Sequence, residues 1–415
     1  MTLTPAADGR RFTGTNAATP WLLAAACAYH LLLWQISEPP LLFSDFYKAN
    51  WTAVETLWEN GLRPVFPFTE VGNWSNLPIV AWPFVPLLVL GETAAGWAFL
   101  AAGYAAVAAA YAMLARAARG PADIAAPLLL LFLVNGPMVN SLREGNTTHF
   151  ILLLLVIAVH LWRRRRHFWA GLVLGLCATI KLPLLLFGVY FVLRRRWRIV
   201  AGGAAAVAGM AALSIAVFGF RSHVVWFDDF VAPHLGTFLP SFNVQSIGGF
   251  LMRLATGADQ LYDWSPLDPS PLQRAAQFAS FAALYGSAAW LLLRAGRGPE
   301  AAEPAAREMA EFSLVLVLAL VTSPISWTHY YLLLLLPLAL YFGGALPLAD
   351  DAPARWLMRI GGALVSLPVI MPYLPPGWAA ELIARTLVSA WLFGGLILFA
   401  AFARMLWRAP PAANA

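Results

Sequence analysis

The sequence predicts an all-α polytopic membrane protein with about twelve transmembrane helices. Of the 415 residues, 60% are hydrophobic and 12% are charged, whereas a soluble domain carries roughly 25% charged residues. Apolar runs recur along the chain at about the 20-residue length that crosses the hydrocarbon of a bilayer. We therefore predict one membrane domain over residues 1–415.

The predicted spans follow one another with few long interruptions. The segment 77–91 is also apolar, but Pro78, Pro83 and Pro86 interrupt it, so we predict a helix at or dipping into the outer interface. We expect the first span to stay uncleaved, because its apolar run continues past the small residues 24–26 that could form a cleavage site. The predicted spans are 21–37, 93–115, 122–140, 147–162, 168–180, 182–193, 198–219, 271–294, 308–322, 329–346, 356–373 and 382–406.

The basic residues indicate how these spans are oriented. They form short clusters beside apolar runs, and if 77–91 does not cross, 19 of the 27 Lys and Arg fall on one side. This asymmetry is typical of cytoplasmic loops. The sequence therefore predicts a multi-pass cell-membrane protein with both termini in the cytoplasm. The net charge of +6 reflects this topology, and we expect no nucleic-acid partner.

Two long loops, 38–77 and 220–270, fall on the opposite, extracytoplasmic side. They carry much of the Asp, Asn, Gln and Trp, while the cytoplasmic loops are short and basic. Long ordered loops on a helical scaffold usually carry function. We therefore expect the working face to be extracytoplasmic.

Asp45 is the predicted catalytic residue. It follows the first span in the stretch Phe43-Ser44-Asp45-Phe46-Tyr47, and an acid so near hydrocarbon is costly unless it has a partner or a function. An ordinary interfacial acid or a helix N-cap would have the same pattern. Tyr47 is a predicted substrate-binding aromatic beside it.

The other candidate residues lie in four segments that are predicted on the same face. Each has a structural alternative: Arg143 could pair with Glu144, Asn146 could cap a helix, and the lysine could snorkel to the interface. Arginine, lysine and histidine would suit a phosphate, whereas the amides and the tryptophan would suit a sugar. The predicted substrate-binding residues are Arg143, Asn146, Lys181, Asn243, Gln245, Arg253, Trp327 and His329.

Several chemistries have no sequence motif here. No His, Asp or Glu cluster has the local spacing of metal ligands, and neither a Walker loop nor a G-x-S-x-G elbow occurs. We therefore predict no metal and no cofactor, and the sequence disfavours a nucleotide-driven pump or a serine hydrolase. Cys27 and Cys177 both lie in apolar runs, which predicts free thiols.

Five segments together resemble a known family. They are Phe43-Ser44-Asp45-Phe46-Tyr47, Gly145-Asn146, Ile180-Lys181-Leu182-Pro183, Ser241-Phe242-Asn243-Val244-Gln245-Ser246 and Ser323-Pro324-Ile325-Ser326-Trp327-Thr328-His329. The chain resembles the polyprenyl-phosphate-mannose-dependent α-mannosyltransferases of glycosyltransferase family 87, in the GT-C superfamily, and is similar to the mycobacterial phosphatidylinositol mannoside mannosyltransferases. The likeness covers roughly residues 20–345, and 346–415 would add C-terminal helices.

Three departures accompany this likeness. Asn146 stands where the family often has Gln, Val244 interrupts an Asn-Gln pair, and Tyr330 stands where a second His is common. These departures leave the family resemblance in place, but the resemblance then does not fix which sugar is transferred or which acceptor receives it.

The resemblance implies a GT-C fold and a polyprenyl-phosphate sugar donor, with mannose favoured. Asp45 would be the general base that takes the proton of a glycolipid or glycan hydroxyl, with inversion at the sugar. Cations such as Lys181, Arg253 or His329 would stabilise the phosphate that leaves.

Two alternatives remain open at this point. The sugar could be arabinofuranose or glucose. A flippase or transporter of lipid-linked sugars is an alternative of a different class, although it would require polar residues at mid-span, where this sequence has few. A purely structural membrane protein would leave the Asp, Lys and His at the membrane edge unexplained.

Overall fold

The computed structural model of the protein describes residues 19–36, 42–59, 76–118, 121–295, 304–346, 351–370 and 376–408. Within these ranges the fold is all-helical, with two isolated β-bridges and no strand. The predicted cytoplasmic termini, the centre of the loop 38–77 and parts of several other connections lie outside the described residues. The α-helices are α1 Thr19–Ile36, α2 Thr52–Glu59, α3 Glu92–Ala117, α4 Pro121–Leu133, α5 Gly136–Glu144, α6 Thr148–Arg163, α7 His167–Ile180, α8 Leu186–Leu193, α9 Trp197–Phe218, α10 Phe220–Trp226, α11 Ile247–Thr256, α12 Pro271–Ala295, α13 Pro304–Val321, α14 Leu335–Phe342, α15 Ala352–Val365, α16 Trp378–Arg385 and α17 Ala390–Arg408.

Four helices among the described residues are long and apolar enough to cross a membrane, and the bent pair α4–α5 would make a fifth. The four are Glu92–Ala117, Trp197–Phe218, Pro271–Arg294 and Trp378–Arg408. Other apolar helices are shorter and are joined end to end across breaks. The protein is therefore a multi-pass membrane protein.

The predicted interfacial segment 77–91 is helical, but it is not an α-helix. Pro78–Leu90 forms a 3-10 helix with Pro83 and Pro86 inside it. Proline removes a backbone donor, which an α-helix of this composition could not tolerate at two interior positions. The segment packs against α2, α3 and α9.

The predicted span 122–140 is wrong in one respect, because the chain bends by 55° between α4 and α5. The Asn135 side chain caps α5 by accepting a hydrogen bond from Met138 N at 2.9 Å, and Gly136 N donates to Ser366 O at 3.0 Å. A Cβ on Gly136 would overlap the Leu367 carbonyl. The helix α5 then continues to Glu144, beyond the predicted end of this span at residue 140.

The middle of the fold is built from α13 and the segment 328–342. Nearly every residue of 312–321 and 331–340 is buried, which is typical of helices surrounded by others on all sides. On one flank, α7 and α9 cross so closely that a Cβ on Gly171 would overlap the Ile199 carbonyl. Small residues at helix crossings permit this approach in membranes.

A buried ion network connects α8 to α13. Glu311, 1% exposed, accepts hydrogen bonds from Arg194 Nε at 2.8 Å and from Tyr190 OH at 3.1 Å. Arg307 Nε lies 3.3 Å from the other carboxylate oxygen. Arg194 belongs to a basic turn between α8 and α9, and a similar turn with Arg165 joins α6 to α7. Lys181 lies at the other end of α7.

Candidate active site

Asp45 lies in a strained and anchored segment. It directly precedes the short π-helical turn Phe46–Trp51, and Phe43, two residues earlier, has a left-handed φ of 59°. This conformation costs a non-glycine residue about 1–2 kcal/mol. Phe43 is buried against Tyr47 and its backbone N donates to Arg143 O at 2.7 Å. Burial and this hydrogen bond hold the segment in place.

Asn146 holds the Asp45 carboxylate in one orientation. Its Nδ2 donates to Asp45 Oδ2 at 2.7 Å. Its Oδ1 accepts from the backbone N of Thr148 at 3.0 Å and from the Thr148 hydroxyl at 2.5 Å. Since both Thr148 groups contact the amide oxygen, the amide nitrogen must face the carboxylate. Asp45 Oδ1 has no hydrogen-bond partner among the described residues, and it remains available to a substrate.

Gly145 makes this arrangement sterically feasible. It ends α5 in a left-handed conformation with φ 70°, and a Cβ there would lie 2.5 Å from Phe46 Cβ. Glycine accepts that conformation without the penalty that other residues carry.

We expect Gly145→Ala to lower the turnover more than the stability. The left-handed conformation alone would cost about 1–2 kcal/mol of folding free energy, and the overlap with Phe46 would displace Asp45. The turnover and the melting temperature are both measured on purified protein. As a control, Gly188→Ala should change neither, because a Cβ at Gly188 meets open space. Wild-type turnover in Gly145→Ala would contradict the predicted displacement.

Lys181 brings a cation to Asp45. It lies between α7 and the short 3-10 helix Leu182–Leu185, and it is only 6% exposed. Its Nζ lies 4.3 Å from the centroid of the Tyr330 ring, a cation–π distance. Tyr330, where the family often has a second His, thereby holds the lysine from the other side of the site.

Burial shifts the pKa of both partners away from their ordinary values. Desolvation raises the pKa of Asp45, while the Asn146 hydrogen bond and the charges of Lys181 and Lys48 oppose this shift. Desolvation lowers the pKa of Lys181 to about 7, and the Asp45 charge opposes it. The site therefore holds a carboxylate more basic than usual beside an amine that titrates near neutrality.

Glu144 and His329 complete a cluster that the sequence did not predict as a unit. Carboxylate oxygens of Asp45 and Glu144 and a ring nitrogen of His329 all lie within 4.8 Å of one another. His329 Nδ1 lies 3.8 Å from Glu144 Oε2. Only His329 and Asp45 were predicted here; for Glu144, pairing with Arg143 was one open alternative. Its place in a dense polar patch was the available signal.

These three residues could hold a divalent cation, since carboxylate oxygens and imidazole nitrogens are common metal ligands. The prediction of no metal rested on local spacing, and the fold assembles this set from three distant segments. Positive charge is already present, because the charge of Lys181 attracts the Asp45 carboxylate and the charge of Arg143 attracts the Glu144 carboxylate. The cluster does not require a metal for charge balance.

The two motif loops at 241–246 and 323–329 are paired with each other. Val244 and Trp327 form an antiparallel β-bridge, and Thr328 N donates to Asn243 O at 2.8 Å. The Asn243 side chain accepts from Trp264 Nε1 at 3.0 Å. The inserted Val244 therefore has a structural role: its bridge fixes the loop that carries His329.

Arg253 and Gln245 do not join the site. Arg253 is fully buried, and its Nη1 donates to the carbonyls of Ser241 and Val244 at 2.8 Å. Its other side donates to Ser389 Oγ at 2.9 Å. Gln245, also fully buried, donates through Nε2 to two carbonyls. Backbone carbonyls and the Ser389 hydroxyl thus engage both side chains within the fold, and their role in substrate binding stays a prediction.

The remaining predicted residues lie close to the cluster. Trp327 is half-buried and stacks on His329, with ring centroids 6.5 Å apart. Tyr47 packs toward α3, where a Cβ on Gly96 would lie 2.8 Å from its hydroxyl. Arg143 is buried, and its carbonyl anchors the segment before Asp45.

A mainly apolar cleft of about 150 Å³ opens beside the Lys181 turn. It is bounded by residues 178–180 of α7, by Val207 and Ala211 of α9, and by Trp226. Leu182 and Leu185 also line it, and both are about half exposed.

A half-buried acid thus lies near a buried cation on an all-helical scaffold with several apolar helices. Comparison with known families adds to this description. The profile of glycosyltransferase family 87 matches residues 74–324, which is more than half of the chain. The chain belongs to glycosyltransferase family 87.

One characterised relative is the polyprenol-phosphate-mannose-dependent α-(1-2)-phosphatidylinositol mannoside mannosyltransferase of Mycolicibacterium smegmatis. The two are 29% identical over 289 residues, which covers 68% of this chain and 60% of the relative. The chain thus matches less than two thirds of the relative's length. The family match contains Asn146 and Lys181, whereas Asp45 precedes it and His329 follows it.

Proposed function

We propose that the protein transfers a sugar, with mannose favoured, from a polyprenyl-phosphate donor to a hydroxyl of a glycolipid or glycan. The observation that carries this proposal is the convergence of the half-buried Asp45 with the buried cation Lys181. The family and the printed activity of the mycobacterial relative support the donor class.

Asp45 acts as the general base. Its free Oδ1 takes the proton of the acceptor hydroxyl as the hydroxyl oxygen attacks the anomeric carbon. The bond from that carbon to the phosphate breaks, and the polyprenyl phosphate leaves with the bonding electrons. Because a phosphate needs no proton to leave, one carboxylate suffices, and attack opposite the phosphate inverts the sugar.

Lys181 stabilises the departing phosphate. Its charge lies within the electrostatic reach of Asp45, and a cation held in a buried site stabilises developing negative charge more than one in water. The unpartnered Nε2 of His329 adds a polar group to the same site. Arg253 has no part in this step.

The cleft beside Lys181 accommodates the first isoprene units of the donor. Its apolar walls suit a hydrocarbon chain, and the half-exposed Leu182 and Leu185 leave it open toward the surrounding lipid. A chain in this cleft would place its phosphate at the Lys181 turn.

We further propose about twelve spans, with both termini in the cytoplasm and the site on the extracytoplasmic side of the cell membrane. The short apolar helices of the fold are joined into pairs, such as Leu182–Leu193 and Thr328–Phe342, which together match predicted spans. The basic turns at Arg163–Arg166 and Arg194–Arg196 lie at the opposite end of α7 and α8 from Lys181.

Cysteine labelling tests this orientation. In a protein with Cys27 and Cys177 changed to Ala, Glu55→Cys on the exposed face of α2 should react with an impermeant maleimide in intact cells. Arg165→Cys should react only after permeabilisation, because its turn would face the cytoplasm. The reverse labelling pattern would place the active site in the cytoplasm and refute the proposed face.

The donor and the acceptor are tested with purified protein. We expect sugar transfer to a membrane lipid extract from polyprenyl-phosphate mannose, and less or none from the arabinofuranose and glucose donors. Nucleotide sugars should not replace the lipid-linked donor, because the sequence has no nucleotide-binding motif. Absence of transfer from every polyprenyl-phosphate sugar would refute the proposed function.

A further inference from the structure

We propose that Glu144 binds a second hydroxyl of the acceptor, next to the hydroxyl that reacts at Asp45, so that the acceptor must carry a vicinal diol. This inference rests on the proposed function and narrows its acceptor. Glu144 then acts as a specificity-determining residue, and His329 lies beside it.

The first support is the spacing of the two carboxylates. Oxygens of Asp45 and Glu144 lie within 4.8 Å of each other. Hydroxyl oxygens on neighbouring carbons of a sugar are about 3 Å apart, and each donates to an acceptor over about 2.7 Å. Two neighbouring hydroxyls can therefore reach one carboxylate each. A lone hydroxyl would leave the second carboxylate without a partner from the substrate.

The second support is the free hydrogen-bonding capacity around Glu144. The Asn140 side chain contacts its carboxylate, and His329 Nδ1 lies 3.8 Å away, too far for a hydrogen bond. A carboxylate offers about four lone-pair sites, so Glu144 can accept from a hydroxyl as well. A side chain that served only as an ion-pair partner would not need to face Asp45.

The third support is His329. It is 7% exposed, and its Nε2 is buried without a hydrogen-bond partner among the described residues. A buried polar atom without a partner is unfavourable in a finished fold, and a substrate hydroxyl would satisfy it.

The two acceptor hydroxyls differ in the fate of their protons. The reacting hydroxyl loses its proton to Asp45, whereas the neighbouring hydroxyl keeps its proton and donates it to Glu144. The second hydrogen bond orients the acceptor, which aligns the reacting oxygen with the donor sugar. A site built to bind a hydroxyl strongly disfavours an analogue that lacks it, because its polar groups are then left unpaired.

The test pairs an enzyme variant with an altered acceptor. The α-(1-2) linkage made by the relative would make the 2-hydroxyl the reacting group and the 3-hydroxyl its neighbour. The acceptors are octyl α-mannoside, its 3-deoxy analogue and its 6-deoxy analogue, with polyprenyl-phosphate mannose as donor. Wild-type protein should lose about 10- to 100-fold in kcat/KM with the 3-deoxy acceptor, the loss expected for one hydrogen bond to a charged group.

Glu144→Gln should lower kcat/KM by a similar factor for octyl α-mannoside and for lipid acceptors alike. The 3-deoxy acceptor should then cause little further loss, because the two changes remove the same interaction. The 6-deoxy acceptor should behave equally with both proteins. Glu55→Gln, at an exposed acid on α2, is the matched control and should match wild type.

Independent losses from Glu144→Gln and the 3-deoxy acceptor would overturn the inference, since a purely structural role would produce them. A wild-type kcat/KM of Glu144→Gln with the lipid extract would also overturn the inference. This holds whether or not the protein accepts octyl α-mannoside as a substrate. Either result would leave the proposed function intact. That proposal fails instead if the wild-type protein transfers no sugar to any acceptor.

Discussion

Replacing Asp45 by Asn is expected to lower the turnover by about 100- to 10,000-fold, the usual contribution of a general base. An amide has nearly the same size as the carboxylate but does not take a proton at neutral pH. The loss should appear in kcat for every acceptor, because the base acts on the reacting hydroxyl itself. Steady-state kinetics with a saturating polyprenyl-phosphate donor measures it.

The same substitution should leave the fold nearly unchanged. The amide oxygen of the introduced asparagine can still accept the hydrogen bond from Asn146 that Asp45 accepts at 2.7 Å. The melting temperature should therefore stay close to that of wild type. Asp228→Asn is the control, because Asp228 is an exposed acid in the loop 220–270 and should retain full activity. If Asp45→Asn turned over at the wild-type rate, Asp45 would not be the base.

Replacing Lys181 by Met is expected to lower kcat/KM for the donor by about 10- to 100-fold. Methionine has nearly the same length as lysine but removes the cation, and a charge-assisted contact contributes about 1.5–3 kcal/mol. The acceptor KM should change little if the cation contacts only the donor phosphate. Arg221→Met, at an exposed cation of α10, is the control and should match wild type.

The pH dependence separates the roles of Lys181 and Asp45. In the free enzyme, kcat/KM should fall as the pH drops through the raised pKa of Asp45, because the base becomes protonated. It should also fall as the pH rises through about 7, the pKa of Lys181, because the cation is lost. Lys48, Arg143, Glu144 and His329 also face this pair, so both limbs report the whole cluster.

Lys181→Arg should move the alkaline limb to higher pH, because a guanidinium stays charged throughout this range. Lys181→Met should remove that limb and move the acid limb upward, since Lys181 lowers the pKa of Asp45. An alkaline limb that stays near pH 7 in Lys181→Arg would show that another group titrates there.

Several elements follow from the residue order. The apolar runs predicted the helices, since burying a helix in hydrocarbon requires side chains that are apolar over its whole length. The prolines predicted that 77–91 is a helix at or dipping into the outer interface rather than a span, and the segment forms a 3-10 helix because proline limits the backbone wherever it occurs. Asp45 and Lys181 were both predicted site residues, because a charge beside hydrocarbon is unfavourable without a partner or a function.

Contacts between distant segments settled what the residue order left open. The bend before α5 is held by the hydrogen bond from Gly136 N to Ser366 O, far apart in the chain, although Asn135-Gly136-Pro137 is a local turn signal. Arg253 has the residue type of a phosphate ligand, yet three carbonyls and Ser389 consume its donors. The sequence left open whether Glu144 pairs with its neighbour Arg143, and only the fold shows that it also lies beside Asp45 and His329. Hydrogen-bond saturation and proximity are properties of three-dimensional packing, so neither could be derived from composition or spacing.

The local chemistry of this protein could therefore be predicted from its sequence: apolar helices, a membrane-edge acid, a membrane-edge lysine and a histidine at the start of an apolar segment. Their arrangement was decided by the tertiary structure. The turn at Gly145 places Asn146 on Asp45, and the bridge between Val244 and Trp327 fixes the loop that carries His329. A residue's type sets which interactions it can make, whereas only packing determines which partners lie within a few ångströms and which of its polar atoms stay free for a substrate.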